Sequence, residues 1–340
     1  MADQKFDERF KLRYLHPRFL FSWLGIAILA ILAYLPSRCR DAIADLTYKP
    51  LSKLNVGFKR KALVNLRLAF PDMTSQQLEE LYADFLRVGI KVTLGYGIPF
   101  FRSREYLKST YIVTGEEFLK EAVSLNRPIL FMAPHAWAID HCGLYLSASG
   151  LNMCTMMHSS KNQVYDWFMN KMRLKFGGKV YERGAGVRSV LKALKDGYHC
   201  FFLPDQDLGE KSSRFVKFFA EDKASLIVLP KISQFGNAVI LPMFSCYNEE
   251  RRKYEVVFDH YFDNYPSDDL MKDVRRMNAS IEHLVEGREK QYMWFLQIYK
   301  SRPGGWTMSY AEASKKENLR NLKEYLKNKK VEELSRKDRS

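Results

Sequence analysis

Between residues 129 and 260, short apolar runs alternate with amphipathic stretches of about ten residues, and this alternation limits the chain to few folds. Runs at 129–133, 152–157, 179–182, 198–203, 238–246 and 254–260 read as strands. Helices are expected at 138–148, 163–176, 186–196, 224–235, 269–286 and 288–299, with Gly150, Gly177 and Gly197 at helix stops. Strands alternating with such helices predict an α/β fold, with a single, largely parallel sheet flanked by helices. Upstream, residues 38–70 read as helices with a basic face that includes Lys59, Arg60, Lys61 and Arg67. Thr74 and Gln77 form a capping box for a helix running to about Lys91.

Phe19 to Leu35 is an uncharged apolar run, at the short end for a membrane span. Arg13, His16 and Arg18 precede it, and Arg38 and Arg40 follow. Trp23 and Tyr34 stand near its ends, where amphipathic rings favour a membrane interface. The competing reading is a cleaved signal peptide, but Leu35-Pro36-Ser37-Arg38-Cys39 offers neither a small-x-small cleavage site nor a lipoprotein box. The expected organisation is therefore an N-terminal hydrophobic membrane-anchor helix in 1–36, one domain over 37–307 and a basic helical tail over 308–340. Arginines on both flanks leave full span and shallow insertion equally compatible. In the tail, Leu319, Leu322 and Leu326 form a narrow apolar stripe beside many lysines, as on a helix facing a membrane or a partner.

The net charge of +15 is spread along the chain, since residues 311–340 account for only +4 of it. A basic surface suits nucleic acid, an anionic membrane, or an acidic protein or phosphorylated substrate. No zinc-finger spacing, RNP-like motif or leucine-zipper heptad occurs, which argues against nucleic acid. The five cysteines, Cys39, Cys142, Cys154, Cys200 and Cys246, are scattered and odd in number, as expected of reduced, mostly buried thiols facing the cytosol.

The chemistry is expected after the apolar run Ile129-Leu130-Phe131-Met132-Ala133. Pro134 breaks the strand there, and His135 is followed five positions later by Asp140. On an ideal helix, residues five apart point about 140° away from each other. The two can meet only if His135 lies in the strand-to-helix turn and Asp140 in the first helical turn. That geometry suits a carboxylate orienting an imidazole that takes a proton from an alcohol. The plainer alternative is a turn histidine and a helix-capping aspartate. A metal site built on His135, Asp140, His141 and Cys142 is disfavoured, because Asp140-His141-Cys142 splay around a helix and no Cys-x-x-Cys or His-Glu-x-x-His occurs. No metal or organic cofactor is expected.

The His-four-residues-Asp arrangement resembles the signature of glycerolipid-type acyltransferases. Gln291-Tyr292-Met293-Trp294 with Lys300-Ser301-Arg302-Pro303, Leu203-Pro204-Asp205-Gln206-Asp207-Leu208-Gly209, His16-Pro17-Arg18 before Trp23-Leu24-Gly25, and Asn65-Leu66-Arg67-Leu68-Ala69-Phe70-Pro71 resemble the late (secondary) acyltransferases of lipid A biosynthesis. The resemblance covers about residues 14–307. It is greatest to the myristoyltransferase branch, because the acid is Asp and Trp137 stands inside the motif. It implies a glycerolipid-acyltransferase-like fold with His135 and Asp140 catalytic. The implied donor is an acyl-acyl-carrier-protein and the implied acceptor a Kdo-lipid A precursor. The expected location is the inner membrane, with the catalytic domain facing the cytoplasm. Another lipid acyltransferase using an acyl-CoA or phospholipid donor, or a membrane lipid-binding protein without turnover, are the rival classes.

Asp205 and Asp207 end the run 198–203, at the carboxyl end of an expected strand where sites of α/β sheets gather. Either could pair with Arg173 or Arg183 or orient a sugar head group, and the resemblance places Asp205 and Arg173 where functional residues are expected. Plain solvated turn carboxylates are the alternative. Lys211, Arg214 and Lys217 alternate with aromatic residues, which suits a phosphorylated lipid or a half-buried strand with snorkelling lysines. Met153, Met156 and Met157 are candidates for an acyl-chain groove or for ordinary core.

Overall fold

The computed structural model describes residue 6 and residues 9–337; residues 1–5, 7 and 8 of the expected anchor segment and 338–340 of the expected tail lie outside the described residues. Its strands are β1 (Tyr111–Thr114), β2 (Ile129–Met132), β3 (Met153–Met157), β4 (Lys179–Glu182), β5 (His199–Phe202), β6 (Ser213–Phe218), β7 (Glu221–Leu226), β8 (Val239–Asn248), β9 (Lys253–Phe258), β10 (Ser301–Arg302) and β11 (Trp306–Thr307). Seven of them form one sheet in the order β1-β9-β8-β2-β5-β3-β4. All pairings in it are parallel except β8 with β9. The expected α/β architecture is thus observed, with all six expected strands in the sheet.

The chain sorts into two compact units, each made from separated segments. The first comprises residues 1–46, 88–202 and 232–265 and contains the whole seven-stranded sheet. Its centre is β2, whose four side chains are wholly buried, as a parallel strand covered on both faces requires. β2 lies between β5 and β8, with Met132 level with Phe202 on one side and Pro242 on the other. The helix Gln163–Arg173 is capped by the Asn162 side chain, which accepts from the backbone N–H groups of Val164 and Tyr165.

The apolar helix spans Leu20–Tyr34. Its fifteen residues extend about 22 Å, short of a hydrocarbon core of about 30 Å. One face is docked within the unit. Trp23 and Ile26 pack on the cluster of Tyr14, Phe19 and Val164, and the Trp23 indole donates to the Tyr14 carbonyl at 2.8 Å. At Gly97 the Leu29 carbonyl oxygen would lie 2.1 Å from a β-carbon, so only glycine permits this approach. The other face is exposed and apolar, carrying Leu20, Phe21, Leu24, Ile28 and Ile31.

The second unit comprises residues 47–87, 203–231 and 266–340. It contains the antiparallel hairpin β6–β7, the short pair β10–β11, and a helix Leu270–Val285 capped by Asp269. Thr74 and Gln77 exchange the two hydrogen bonds of the expected capping box. In β6, Arg214 and Lys217 are exposed while Val216 and Phe218 are buried, so the basic–aromatic segment is a half-buried strand.

Three expectations need correction. The helix expected over 224–235 begins only at Val228, because residues 221–226 pair with β6. The helix expected over 288–299 is a single 3₁₀ turn at Glu289–Gln291 followed by irregular chain. The Asn65 side-chain amide donates to the carbonyls of Trp294 and Leu296, and Tyr292, Trp294, Ile298 and Tyr299 are buried at spacings no helix face provides. The tail is helical as expected, in the pieces Tyr310–Ala313, Lys316–Arg320 and Leu322–Lys337, but of its apolar stripe Leu322 and Leu326 are buried and Leu319 is half-buried. Those two leucines are core rather than an exposed stripe.

Asn65 is fully buried and also accepts from the Tyr310 hydroxyl at 2.6 Å. Asn65→Ala would remove three buried hydrogen bonds and take from the Trp294 carbonyl its side-chain donor, while the Leu296 carbonyl keeps the Ile298 N–H and the Tyr310 hydroxyl keeps the Tyr299 N–H. It is expected to lower the unfolding free energy by about 3 kcal/mol, measured by urea denaturation of the full chain in detergent. Tyr310→Phe should cost less than half as much.

Candidate functional site

The chain leaves β2 through Ala133, Pro134 and His135 and enters the helix Ile139–Ala148 one residue before Asp140. His135 therefore lies in the turn and Asp140 in the first helical turn, the placement that a meeting of the two requires. The Ala133 N–H donates to the Phe202 carbonyl at 3.0 Å, so the sheet holds the chain up to the edge of the turn. The Ser245 hydroxyl donates to the Ala138 carbonyl at 2.8 Å and fixes its far side. From β2 the chain runs on to β3, towards one edge of the sheet, and from the adjacent β8 to β9, towards the other, so this turn occupies a topological switch point, where α/β sheets open their binding crevices. His135 is half-buried.

Asp140 is tightly held. Arg173 grips it through two nitrogens, Nε at 2.6 Å from Oδ1 and Nη2 at 3.2 Å from Oδ2. The Tyr96 hydroxyl adds a third bond, at 3.2 Å from Oδ2. Burial alone would raise the carboxyl pKa, but Arg173's charge and hydrogen bonds outweigh it and hold Asp140 below the usual carboxylate range. The guanidinium is also steadied by the Met157 sulfur, 3.3 Å from Nη1. Met157 and Met156 are half-buried, while Met153 is core.

His141 and Cys142, the other members of the metal alternative, have structural environments. His141 is wholly buried, stacks on Tyr254 at 3.4 Å between ring centroids, and bonds the Tyr111 hydroxyl at 3.1 Å through Nδ1. Burial pushes its pKa down to about 3, so it stays neutral near pH 7. Burial likewise pushes the Cys142 thiol up. Among the described residues, no group of three or more His, Cys, Asp or Glu side chains is disposed to hold a metal ion. All five cysteines are thiols, and only Cys39 is exposed.

Sequence reasoning missed two residues here. Tyr96 gave no signal beyond its place after a helix. Gly89 did carry one, a glycine inside a helical pattern. A β-carbon there would lie 2.4 Å from the Trp137 indole, so the helix Ser75–Leu94 can approach the motif's tryptophan only with glycine at that position. Arg183 is exposed in a 3₁₀ turn at the carboxyl end of β4.

Asp205 and Asp207 belong to the second unit, where they stand near a buried lysine. Asp207 accepts from the Gly209 N–H and from both the N–H and the hydroxyl of Ser301, so it ties Leu203–Gly209 to the Lys300–Pro303 motif. Asp205 is 1% exposed. Lys223 on β7 is wholly buried, and its Nζ has no hydrogen-bond partner among the described residues. Burial lowers its pKa to about 8, a drop limited by the charges of Asp205 and Asp207. No local pattern around Lys223 marks it as a buried cation.

Residues 7–301 match the family described as bacterial lipid A biosynthesis acyltransferase. A lipid A biosynthesis acyltransferase of Haemophilus influenzae is 35% identical over 307 residues, 88% of this chain and 94% of that protein. The lipid A biosynthesis myristoyltransferase of Escherichia coli K12 is 29% identical over 90% of this chain and 94% of its own length. The lauroyltransferase of the same organism is 26% identical over 89% and 98%.

Lys223 gives a test with a defined sign. Its folded pKa lies below the ordinary 10.5, so the fold disfavours the ammonium. The resulting cost is complete below pH 8 and disappears as pH rises to 10.5. Lys223→Met should therefore stabilise the protein at pH 7, by up to roughly 3 kcal/mol. Thermal melts at pH 7 and near pH 10.5 should show the gain at the first and its loss at the second.

Proposed function

The chain belongs to the bacterial lipid A biosynthesis acyltransferases, and we propose that it transfers a fatty acyl group, myristoyl by preference, from an acyl-acyl-carrier-protein to a hydroxyacyl group of a Kdo-lipid A precursor. The observation that carries the mechanism is the turn itself: His135 between β2 and its following helix, with Asp140 pinned in the first turn of that helix by Arg173 and Tyr96. The acceptor alcohol is the nucleophile. It attacks the thioester carbon as His135 takes its proton, and the tetrahedral intermediate collapses with expulsion of the carrier thiolate, which is reprotonated from the imidazolium. A positioned base of this kind contributes roughly 10²–10⁴-fold.

In this reading Asp140 orients the imidazole and stabilises its charged form. An ionised carboxylate offers about four lone-pair sites. Arg173 and Tyr96 use three of them, and the fourth is the one offered to His135. Arg173 and Tyr96 are then positioning residues. Arg183 and Asp205 are each proposed to meet the substrate, and Asp207 to hold the Leu203–Gly209 segment that carries Asp205 through Ser301. The chemistry calls for no metal or organic cofactor. The myristoyl preference is supported by the aspartate in the motif, by Trp137 beside it, and by the relative named a myristoyltransferase.

The exposed apolar face of the Leu20–Tyr34 helix is proposed to embed in the inner membrane while its other face stays docked. The body would face the cytoplasm, where acyl-carrier donor is available. The organisation proposed is an anchor in 1–36, a catalytic domain in 37–307 and a tail in 308–340.

Mass spectrometry of lipid A from cells with and without this chain should show one added acyl mass, equal to myristoyl. The His135→Ala chain should add none, and a purified His135→Ala enzyme that turned over within tenfold of wild type would remove the general-base role. Asp140→Asn should lose most activity while Arg173 and Tyr96 keep it in place.

Donor recognition should be electrostatic, since a chain of net charge +15 meets an acidic carrier. Raising salt should raise KM for the acyl-carrier donor far more than for a short acyl-thioester. Equal effects on both would eliminate charged docking. Transfer from acyl-CoA or phospholipid at the carrier's rate would favour the rival donor class.

A further inference from the structure

The carboxyl end of the apolar helix is held by two arginines. Arg40 is 5% exposed and donates through one guanidinium nitrogen to the carbonyls of Leu32, at 3.1 Å, and Leu35. Arg102 donates to the Ala33 carbonyl at 3.3 Å, with its guanidinium carbon 4.7 Å from the Tyr34 ring centroid and 3.5 Å from that of Tyr106. They satisfy the last carbonyls of the helix and match the negative end of its dipole. They also concentrate positive charge at the depth where the apolar segment ends.

A cleft of 190 Å³ opens beside them, within the first unit, lined by Arg40, Tyr106, Arg251, Arg252, Lys253 and Tyr254 among others. Ser37, three residues beyond the end of the helix, is also on its wall. No carboxylate lines it. Asp41 pairs with this wall, accepting from the Tyr247 hydroxyl at 2.9 Å and lying 3.6 Å from Arg252 Nε. Four cations against one engaged carboxylate leave an unbalanced positive site. It is smaller than the roughly 300–1,000 Å³ of drug-sized ligand pockets, so it suits a compact anionic group better than an acyl chain. Guanidinium groups match the oxygens of a phosphate with paired N–H donors.

We propose that this cleft binds the phosphate of an anionic phospholipid of the surrounding bilayer. The lipid is favoured over a soluble phosphate ester because the wall begins at Ser37, directly after the apolar helix, where a head group lies when the acyl region meets Leu20–Tyr34. This rests on the anchoring of that helix. Tyr254 of the cleft wall stacks on His141, the neighbour of Asp140 in the helix Ile139–Ala148. A bound head group thus braces the packing behind the motif.

The full chain in detergent micelles, titrated with phosphatidylglycerol or phosphatidylcholine and read by native mass spectrometry, tests the cleft without a bilayer. Wild type should retain phosphatidylglycerol at least about tenfold more tightly. Arg251→Glu with Lys253→Glu, both on the exposed hairpin, should erase the preference while leaving the melting temperature unchanged. Equal preference in the variant would overturn the proposal. Displacement of the lipid by millimolar inorganic phosphate would assign a soluble ester and overturn it too. Flotation on neutral phosphatidylcholine vesicles tests the anchor separately. Failure to float would refute the anchoring, whereas the micelle titration decides the cleft.

Discussion

The site depends on one ion pair. A carboxylate in the first turn of the helix after a buried strand is costly to desolvate, and Arg173 offsets that cost with two directed hydrogen bonds. Removing one partner of such a pair costs roughly 3–5 kcal/mol, because the remaining charge stays in place without compensation. Asp140 is consequently fixed in position and in ionisation state, which an orienting carboxylate needs. The pair also ties the helix after β2 to the helix after β3, so the geometry of the motif is built into the packing of the sheet's covering layer.

The parallel part of the fold was legible because its strands are short apolar runs bounded by glycine and proline, and the helices between them have their own caps. Asn162 and Asp269 cap the helices that follow them. Local signals failed where long-range contacts decide. Residues 288–299 have helical composition, yet Asn65, more than two hundred residues earlier, takes the carbonyls a helix would need. Residues 221–226 carry Glu, Asp, Lys and Ser, a poor strand pattern, but pair in register with β6 and bury Lys223.

The site was legible to the same extent. His135 and Asp140 announce themselves because proline, histidine and carboxylate fall in one short segment after a strand. Arg173 could be named, but its partner could not, since a helical register does not say which carboxylate it reaches. Tyr96, Gly89 and Lys223 act through space on residues far away in sequence, and single residues of ordinary type leave no periodic trace. Gly89 is the partial exception, because glycine inside a helix costs stability and so needs a reason.

The strand order has a consequence for synthesis of the chain. β1 is complete at Thr114, but its hydrogen-bonding neighbour is β9, which ends at Phe258. Nearly half the polypeptide emerges from the ribosome while β1 waits as an unpaired edge. The core strand β2 waits likewise for β5 and β8. Sheets closed by such distant pairings form slowly and expose aggregation-prone edges meanwhile. The apolar helix is made first. A nascent chain tethered by it at a surface would be kept from neighbouring chains during that interval, so the N-terminal helix would serve assembly of the enzyme as well as its placement.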